Sequence, residues 1–391
     1  MKIAVYCQHV LGIGHLFRAI EICKALAGHD VILITGGPRI EKTLPDHIRE
    51  FRLPALQMDH EFKGLYGTDP HVTLERLKER RQSLLLSFFK EETPDIFIVE
   101  LYPFGRKAFR YELDPVLEAI RTGSVPDCGV ICSVRDILVE KEDQEKHELR
   151  AATTLNEYFN AVLVHADPNL VELGETFFHL DAIAIPIIYT GYIAPKPEAE
   201  GRHSLRDRLG ISPDDILIVA SAGGGSVGKP LLESVVRAFK LLEIKNTKQL
   251  IVFAGPFLDE ASYLELQQLG GDGISIEKFA PDFMSYLAAA DLSVSMGGYN
   301  TSMNILAANV PALIWPFTEN QEQRMRAASL AGKAAVRVLE DQDLEPHRLT
   351  GIMEQMILQR IPDAAGIDLD GAENTARWIE TWAGCHNESM D

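Results

Sequence analysis

A histidine beside a glycine at a helix start, and two glycine-rich loops that feed later helices, are the residues of this chain that could do chemistry. Gly12-Ile13-Gly14-His15-Leu16-Phe17 follows the apolar run Ile3–Cys7. An imidazole placed there can exchange a proton near neutrality. Ser221–Pro230 and Met296–Asn304 each join an apolar run to a helical segment. Loops of that kind aim backbone N–H groups and a helix dipole at an anion.

Two familiar readings of these loops fail on single residues. The first loop opens like a dinucleotide fingerprint, but Phe17 stands where a third glycine must allow close helix–strand packing. The next strand ends Thr35-Gly36-Gly37 rather than in an acid that would grip a ribose. Gly223-Gly224-Gly225-Ser226-Val227-Gly228-Lys229 has the spacing of a phosphate-binding P-loop, yet Pro230 replaces the hydroxyl that would ligate Mg²⁺. The following strand, Leu250–Ala254, carries no Asp to assist a metal. Both a nicotinamide dehydrogenase and a P-loop kinase or ATPase are therefore disfavoured.

The elements that must position these residues alternate. Apolar, β-branched runs at Ile3–Cys7, Val31–Thr35, Ile96–Glu100, Gly129–Ser133 and Ala161–His165 are separated by helical segments such as His15–Ala27 and Thr73–Lys90. A Pro- and charge-rich stretch, 194–202, reads as a linker. The alternation then restarts at Ile216–Ala220, Gln249–Ala254, Ile274–Phe279, Leu292–Met296 and Ala312–Trp315. This pattern predicts an α/β protein of two Rossmann-like domains, 1–193 and 203–391, with parallel sheets facing each other across a cleft. The last helix, Gly371–Trp382, is a candidate to return to the first domain. Ligands in such sheets bind beyond the carboxyl ends of the strands.

Composition agrees with a soluble enzyme: 391 residues, 46% hydrophobic and 24% charged. With 38 Lys and Arg against 57 Asp and Glu, the net charge of −19 argues against a nucleic-acid-coating surface. Five cysteines, none in a C-x-x-C pair, read as reduced thiols. Met1-Lys2 leads straight into a strand and no apolar run spans a bilayer, so a cytoplasmic protein without a signal peptide is expected, with peripheral membrane contact left open.

Two segments carry a family resemblance. Gly14-His15-Leu16-Phe17-Arg18-Ala19, and Ser295-Met296-Gly297-Gly298-Tyr299-Asn300-Thr301 with Asn304–Phe317 and the following Glu322-Gln323, are similar to motifs of the GT-B glycosyltransferases. Within that fold the chain resembles the branch of the peptidoglycan lipid-intermediate N-acetylglucosaminyl transferase. Ser221–Gly228 and Phe279–Met284 add to the match. The resemblance implies a transferase that moves a sugar from a nucleotide-diphosphate sugar, with a UDP-sugar expected, to a hydroxyl acceptor. It also implies inversion, no cofactor and no metal ion. The donor would contact Gly14, Gly224, Gly225, Ser226, Phe279, Ala280, Met284, Gly297, Gly298, Tyr299, Asn300, Thr301, Asn304, Glu322 and Gln323. Asn304 stands where the peptidoglycan enzyme carries a ribose-binding Glu.

Inverting transfer needs a base for the acceptor hydroxyl and a stabiliser for the departing diphosphate. His15 is assigned as that base, the alternative being an imidazole that positions acceptor or phosphate or caps the helix; as base, it is expected to make kcat/KM rise through an ordinary imidazole pKa. Glu100, which ends the strand Ile96–Glu100, would orient His15 or bind an acceptor hydroxyl. Arg135-Asp136 is a similar acceptor-side candidate, and His165 reads as cleft-lining or structural. Two rivals share the architecture: a hydrolysing sugar-nucleotide 2-epimerase, which needs carboxylates for proton abstraction at carbon, and a non-catalytic partner subunit of a glycosyltransferase.

Overall fold

The computed structural model describes residues 1–9, 14–40, 44–58, 64–67, 71–139, 143–198, 200–225, 227–358 and 366–388. It divides into two compact units, Met1–Ile193 with Asp370–Asp391, and Ala194–Leu369. The first runs β1 (Lys2–Tyr6), α1 (Gly14–Ala25), β2 (Asp30–Thr35), β3 (Ile48–Arg52), β4 (Leu56–Met58), β5 (Leu65–Gly67), α2 (Leu74–Glu92), β6 (Ile96–Glu100), α3 (Arg110–Arg121), β7 (Gly129–Arg135), α4 (Gln144–Tyr158), β8 (Ala161–His165) and β9 (Ile187–Tyr189). The second runs α5 (Gly201–Leu209), β10 (Ile216–Ser221), α6 (Lys229–Leu241), β11 (Lys248–Phe253), α7 (Glu260–Leu269), β12 (Ile274–Glu277), α8 (Phe283–Ala289), β13 (Leu292–Met296), α9 (Tyr299–Ala308), β14 (Ala312–Trp315), α10 (Gln321–Leu330), β15 (Val336–Val338) and α11 (Pro346–Leu358). The final helix, α12 (Gly371–Glu388), belongs to the first unit.

Each unit is built on a parallel sheet, in the orders β3-β2-β1-β6-β7-β8-β9 and β12-β11-β10-β13-β14-β15. The central strands are buried on both faces, which is why they are mostly apolar. Edge strand β3 exposes Arg49 and Glu50, and edge strand β12 exposes Ser275 and Glu277. Such short polar edges give the sequence little strand signal. β3 and β15 are accordingly absent from the sequence reading, as are the three-residue strands β4, β5 and β9, and β12 ends at Glu277 rather than Phe279.

One face of the first sheet packs Ile3, Val5, Ile98, Ile131 and Leu163 against α1 and α12. On α12 the buried residues Ala372, Ala376, Ile379 and Ala383 recur at helical spacing, so the last helix closes the first unit's core. In the second unit, Leu231, Leu232, Val235 and Val236 of α6 and Leu349, Ile352 and Met353 of α11 cover the sheet. The segment read as a linker to residue 202 is shorter than expected, because α5 begins at Gly201.

Candidate active site

Strand order reverses in the first sheet between β1 and β6, so the β1 and β6 loops diverge there and leave a crevice at their carboxyl ends. His15, the second residue of α1, and Glu100, the last of β6, meet at this point. The His15 Nδ1–H donates to Glu100 Oε1 at 2.5 Å. Arg18, one turn along α1, donates through Nη2 to the same oxygen at 2.5 Å. The two nitrogens lie 3.1 Å apart because both converge on one acceptor. Arg106 approaches the second oxygen, with Nε 3.7 Å from Oε2.

Glu100 and Arg18 are almost fully buried, whereas His15 keeps 17% of its side-chain surface exposed. Burial penalises the Glu100 anion, but the His15, Arg18 and Arg106 donors and charges outweigh it and hold the carboxyl well below its usual range. Burial pushes the His15 imidazole down to about 4; Glu100 opposes this, and Arg106 and Arg18 reinforce it. The imidazole is therefore neutral at pH 7. Its proton sits on Nδ1 against Glu100, and Nε2 has no partner among the described residues. The ordinary pKa expected from sequence is corrected downward for this reason.

A row of polar groups continues along the same edge. Glu100 lies in register with Ser133 of β7, and Arg135 with His165 of β8. The Ser133 hydroxyl donates to His165 Nε2 at 2.7 Å, and His165 Nδ1–H donates to the Thr190 hydroxyl at 2.8 Å. His165 is fully buried, and burial with the Arg18 charge pushes it down to about 3. It is a structural residue at the edge of the site. Asp136 is buried, and its carboxylate accepts from the Ile137 N–H at 2.9 Å.

The glycines that end β2 have a steric reason. The buried Arg81 guanidinium donates to Glu112 at 2.6 and 2.7 Å, to the Gln8 amide oxygen at 2.9 Å and to the Gly36 carbonyl at 3.2 Å. Any Cβ at Gly36 would collide with it. An acid for a dinucleotide ribose has no room at that point.

The second sheet reverses between β10 and β13, and the predicted donor loops leave from those two strands. After β10, Gly225 takes a left-handed φ of +94°, and a Cβ there would collide with the Ala254 carbonyl. The Gly224 carbonyl accepts from the Phe257 N–H at 2.9 Å, which ties this loop to the next one. Ser226 lies outside the described residues. Lys229 turns away from the loop: its ammonium pairs with Glu265 of α7 and, at 3.7 Å, with Glu233. The P-loop resemblance is thus spacing alone.

Beyond β13, Gly298 is the N-cap of α9, with φ −66° and ψ 150°, and offers no side chain to the first-turn N–H groups. Those donors are ready for an anion. Gly297 is buried against α10: a Cβ there would sit 3.0 Å from the Gln323 carbonyl oxygen. The Gly297 carbonyl accepts from Arg326 Nη1 at 3.1 Å, and the guanidinium lies 5.3 Å from the centre of the Tyr299 ring. Asn300, Thr301 and Asn304 are half-buried on α9.

Tyr299 and Glu322, both predicted donor contacts, each meet Arg326. Tyr299 is buried as the platform for Arg326, and Glu322 Oε1 accepts from Arg326 Nη2 at 2.9 Å. Gln323 stays half-buried, with its amide oxygen accepting from the Phe317 N–H at 3.1 Å. Phe279 is 38% exposed, while Ala280 is buried and Met284 half-buried at the start of α8. Gly14 opens α1 in the first unit, not the second, so it does not share a loop with the other donor residues.

Sequence reasoning missed Arg18, Arg106, Ser133 and Thr190. Arg18 was findable, since three residues from His15 on a helix puts both on one face. Arg106 was not, because its placement depends on an irregular turn.

Among the described residues, no group of three or more His, Cys, Asp or Glu side chains could hold a metal ion, and no helix is long and apolar enough to cross a membrane. Residues 219–362 match the family model of the glycosyltransferase family 28 C-terminal domain. An uncharacterized glycosyltransferase of Methanopyrus kandleri is 23% identical over 54% of this chain and 60% of its own length. The UDP-N-acetylglucosamine–N-acetylmuramyl-(pentapeptide) pyrophosphoryl-undecaprenol N-acetylglucosamine transferase of Carboxydothermus hydrogenoformans is 27% identical over 86% of this chain and 84% of its own. Among solved structures, MurG of Acinetobacter baumannii superposes with a TM-score of 0.54 at 16% identity, covering 96% of this chain and 95% of that one. The UDP-GlcNAc 2-epimerase of Methanocaldococcus jannaschii does so with a TM-score of 0.60 at 12% identity, covering 97% and 100%. The chain therefore has the GT-B fold, and it resembles the MurG branch of the GT-B glycosyltransferases.

Proposed function

We propose that this protein is an inverting glycosyltransferase that moves a sugar from a nucleoside-diphosphate sugar, a UDP-sugar in our reading, to a hydroxyl acceptor without a metal ion. The observation that carries the proposal is the pairing of His15 Nδ1 with the buried Glu100 carboxylate at 2.5 Å, at a site whose burial pushes the imidazole pKa down. In this reading Nε2 takes the acceptor's proton as the oxygen attacks the anomeric carbon from the face opposite the diphosphate. The carbon–oxygen bond to the diphosphate breaks, and its electron pair leaves on the phosphate oxygen. A single displacement inverts the anomeric centre. The first-turn amides of α9, with the Gly224–Gly225 loop, receive the developing charge. Glu100 stabilises the imidazolium that forms.

The epimerase reading needs a carboxylate beside a sugar carbon. Glu100 is shared by His15 and two arginines, Asp136 caps its own chain, and Glu322 is paired with Arg326. Those engagements favour transfer over epimerisation. A silent partner subunit would have no use for a dyad of this geometry.

Calorimetry with UDP, dTDP and GDP tests the donor half, each in excess EDTA and again in Mg²⁺. One nucleotide should bind, equally well in both. No binding of any diphosphate would overturn the donor assignment, and binding only in Mg²⁺ would overturn the metal-free mechanism.

A further inference from the structure

Glu100 presents a puzzle of charge. A carboxylate hydrogen-bonded to an imidazole ordinarily favours the imidazolium, which is useless as a base. Here two guanidiniums share the same carboxylate. Arg18 donates to Oε1, and Arg106 lies 3.7 Å from Oε2. Neither Glu100 Oε2 nor Arg106 Nε, both buried, has a hydrogen-bond partner among the described residues. Arg106 is also held at a backbone cost. Its φ is +57°, in the left-handed region that a long side chain avoids, between Gly105 and the short turn Lys107–Phe109. A strained position occupied by an arginine, where glycine or asparagine would sit without strain, points to a use for the side chain.

We propose that Arg106 is a positioning residue for sugar transfer: with Arg18 it holds Glu100 as a shared anion, so that His15 keeps its proton on Nδ1 and presents Nε2 to the acceptor. The inference rests on the proposed role of His15 as base. The ionisable groups that act on this carboxylate and its neighbours come from every element around it. They are His15 and Arg18 of α1, Cys7 after β1, Arg106 after β6, Cys132 of β7 and His165 of β8. Burial pushes both thiols up, so they stay neutral. His165 is neutral as well, which leaves Arg18 and Arg106 as the positive charges that offset Glu100.

The test is Arg106→Asn, which tolerates the left-handed backbone and removes the charge, with Arg106→Lys as the rescue. Side-chain ¹H–¹⁵N spectra of histidine-labelled protein read the His15 titration without any substrate. In Arg106→Asn the His15 midpoint should rise by about one pH unit or more, toward the ordinary imidazole value near 6.5. Arg106→Lys should return it most of the way. An unchanged midpoint in the folded Arg106→Asn protein would overturn the proposal. The acid limb of kcat/KM should move by the same amount. If the midpoint moves and the limb does not, the His15 base is what fails, while the charge role of Arg106 stands.

Discussion

Gly298→Val should weaken nucleotide binding while leaving the fold intact. The backbone at Gly298 is extended, φ −66° and ψ 150°, a conformation valine adopts readily. A Cβ built there meets no atom within 4 Å. The folded protein therefore has no packing penalty to bear, and the change in stability should stay within about 1 kcal/mol. The bound state differs. A diphosphate on the α9 N-terminus would take charge-assisted bonds of about 1.5–3 kcal/mol from the first-turn amides, plus about 0.3–1 kcal/mol from the dipole. A branched side chain at the N-cap would hold the phosphate off and forfeit roughly 2–4 kcal/mol. At about 1.4 kcal/mol per tenfold, Kd should rise roughly 30- to 700-fold. Calorimetry with the preferred nucleoside diphosphate, alongside thermal melting, reads both sides. A Kd within threefold of wild type at unchanged Tm would refute the placement of the diphosphate. Gly297→Ala is the contrasting change: its Cβ meets the Gln323 carbonyl oxygen at 3.0 Å, so it should lower stability as well as affinity.

His15→Gln should lower kcat by about 10²–10⁴-fold with donor affinity unchanged, and product formation within tenfold of wild type would remove His15 as base. Because the imidazole is pushed down to about 4, wild-type kcat/KM should stay flat from pH 7 to about 5 and fall only near pH 4. Lys229→Ala should leave nucleotide affinity within twofold, since its ammonium pairs with Glu265 and Glu233; a large loss would restore a phosphate role for it. His15 and His165 both have folded pKa values below the unfolded value near 6.5, so the unfolded chain binds the extra protons. Their stabilisation is complete above pH 6.5 and is lost as pH falls toward about 4 for His15 and about 3 for His165. Urea midpoints should drop across that window, less steeply in His165→Gln, and an equal slope in that variant would show that His165 does not carry the proton.

The chain's local patterns determined the βα alternation, the glycine loops and the His15 helix start, because each is a property of adjacent residues. Apolar runs made the central strands legible, since burial on both faces leaves few polar positions, Ser293 and Ser295 of β13 among them. Edge strands β3 and β15 stayed hidden because they are short and carry charged residues at their exposed positions. Tertiary structure alone decided which loops meet. His15 and Glu100 are 85 residues apart and touch because strand order reverses between β1 and β6. It also decided their protonation, which depends on Arg18, on an arginine held in a left-handed turn, and on burial. Glu322 shows the same division from the other side. Its pairing with Arg326 is an i,i+4 contact within α10, local enough to read from the sequence, whereas the reach of the same guanidinium to the Gly297 carbonyl exists only where α10 packs against that loop.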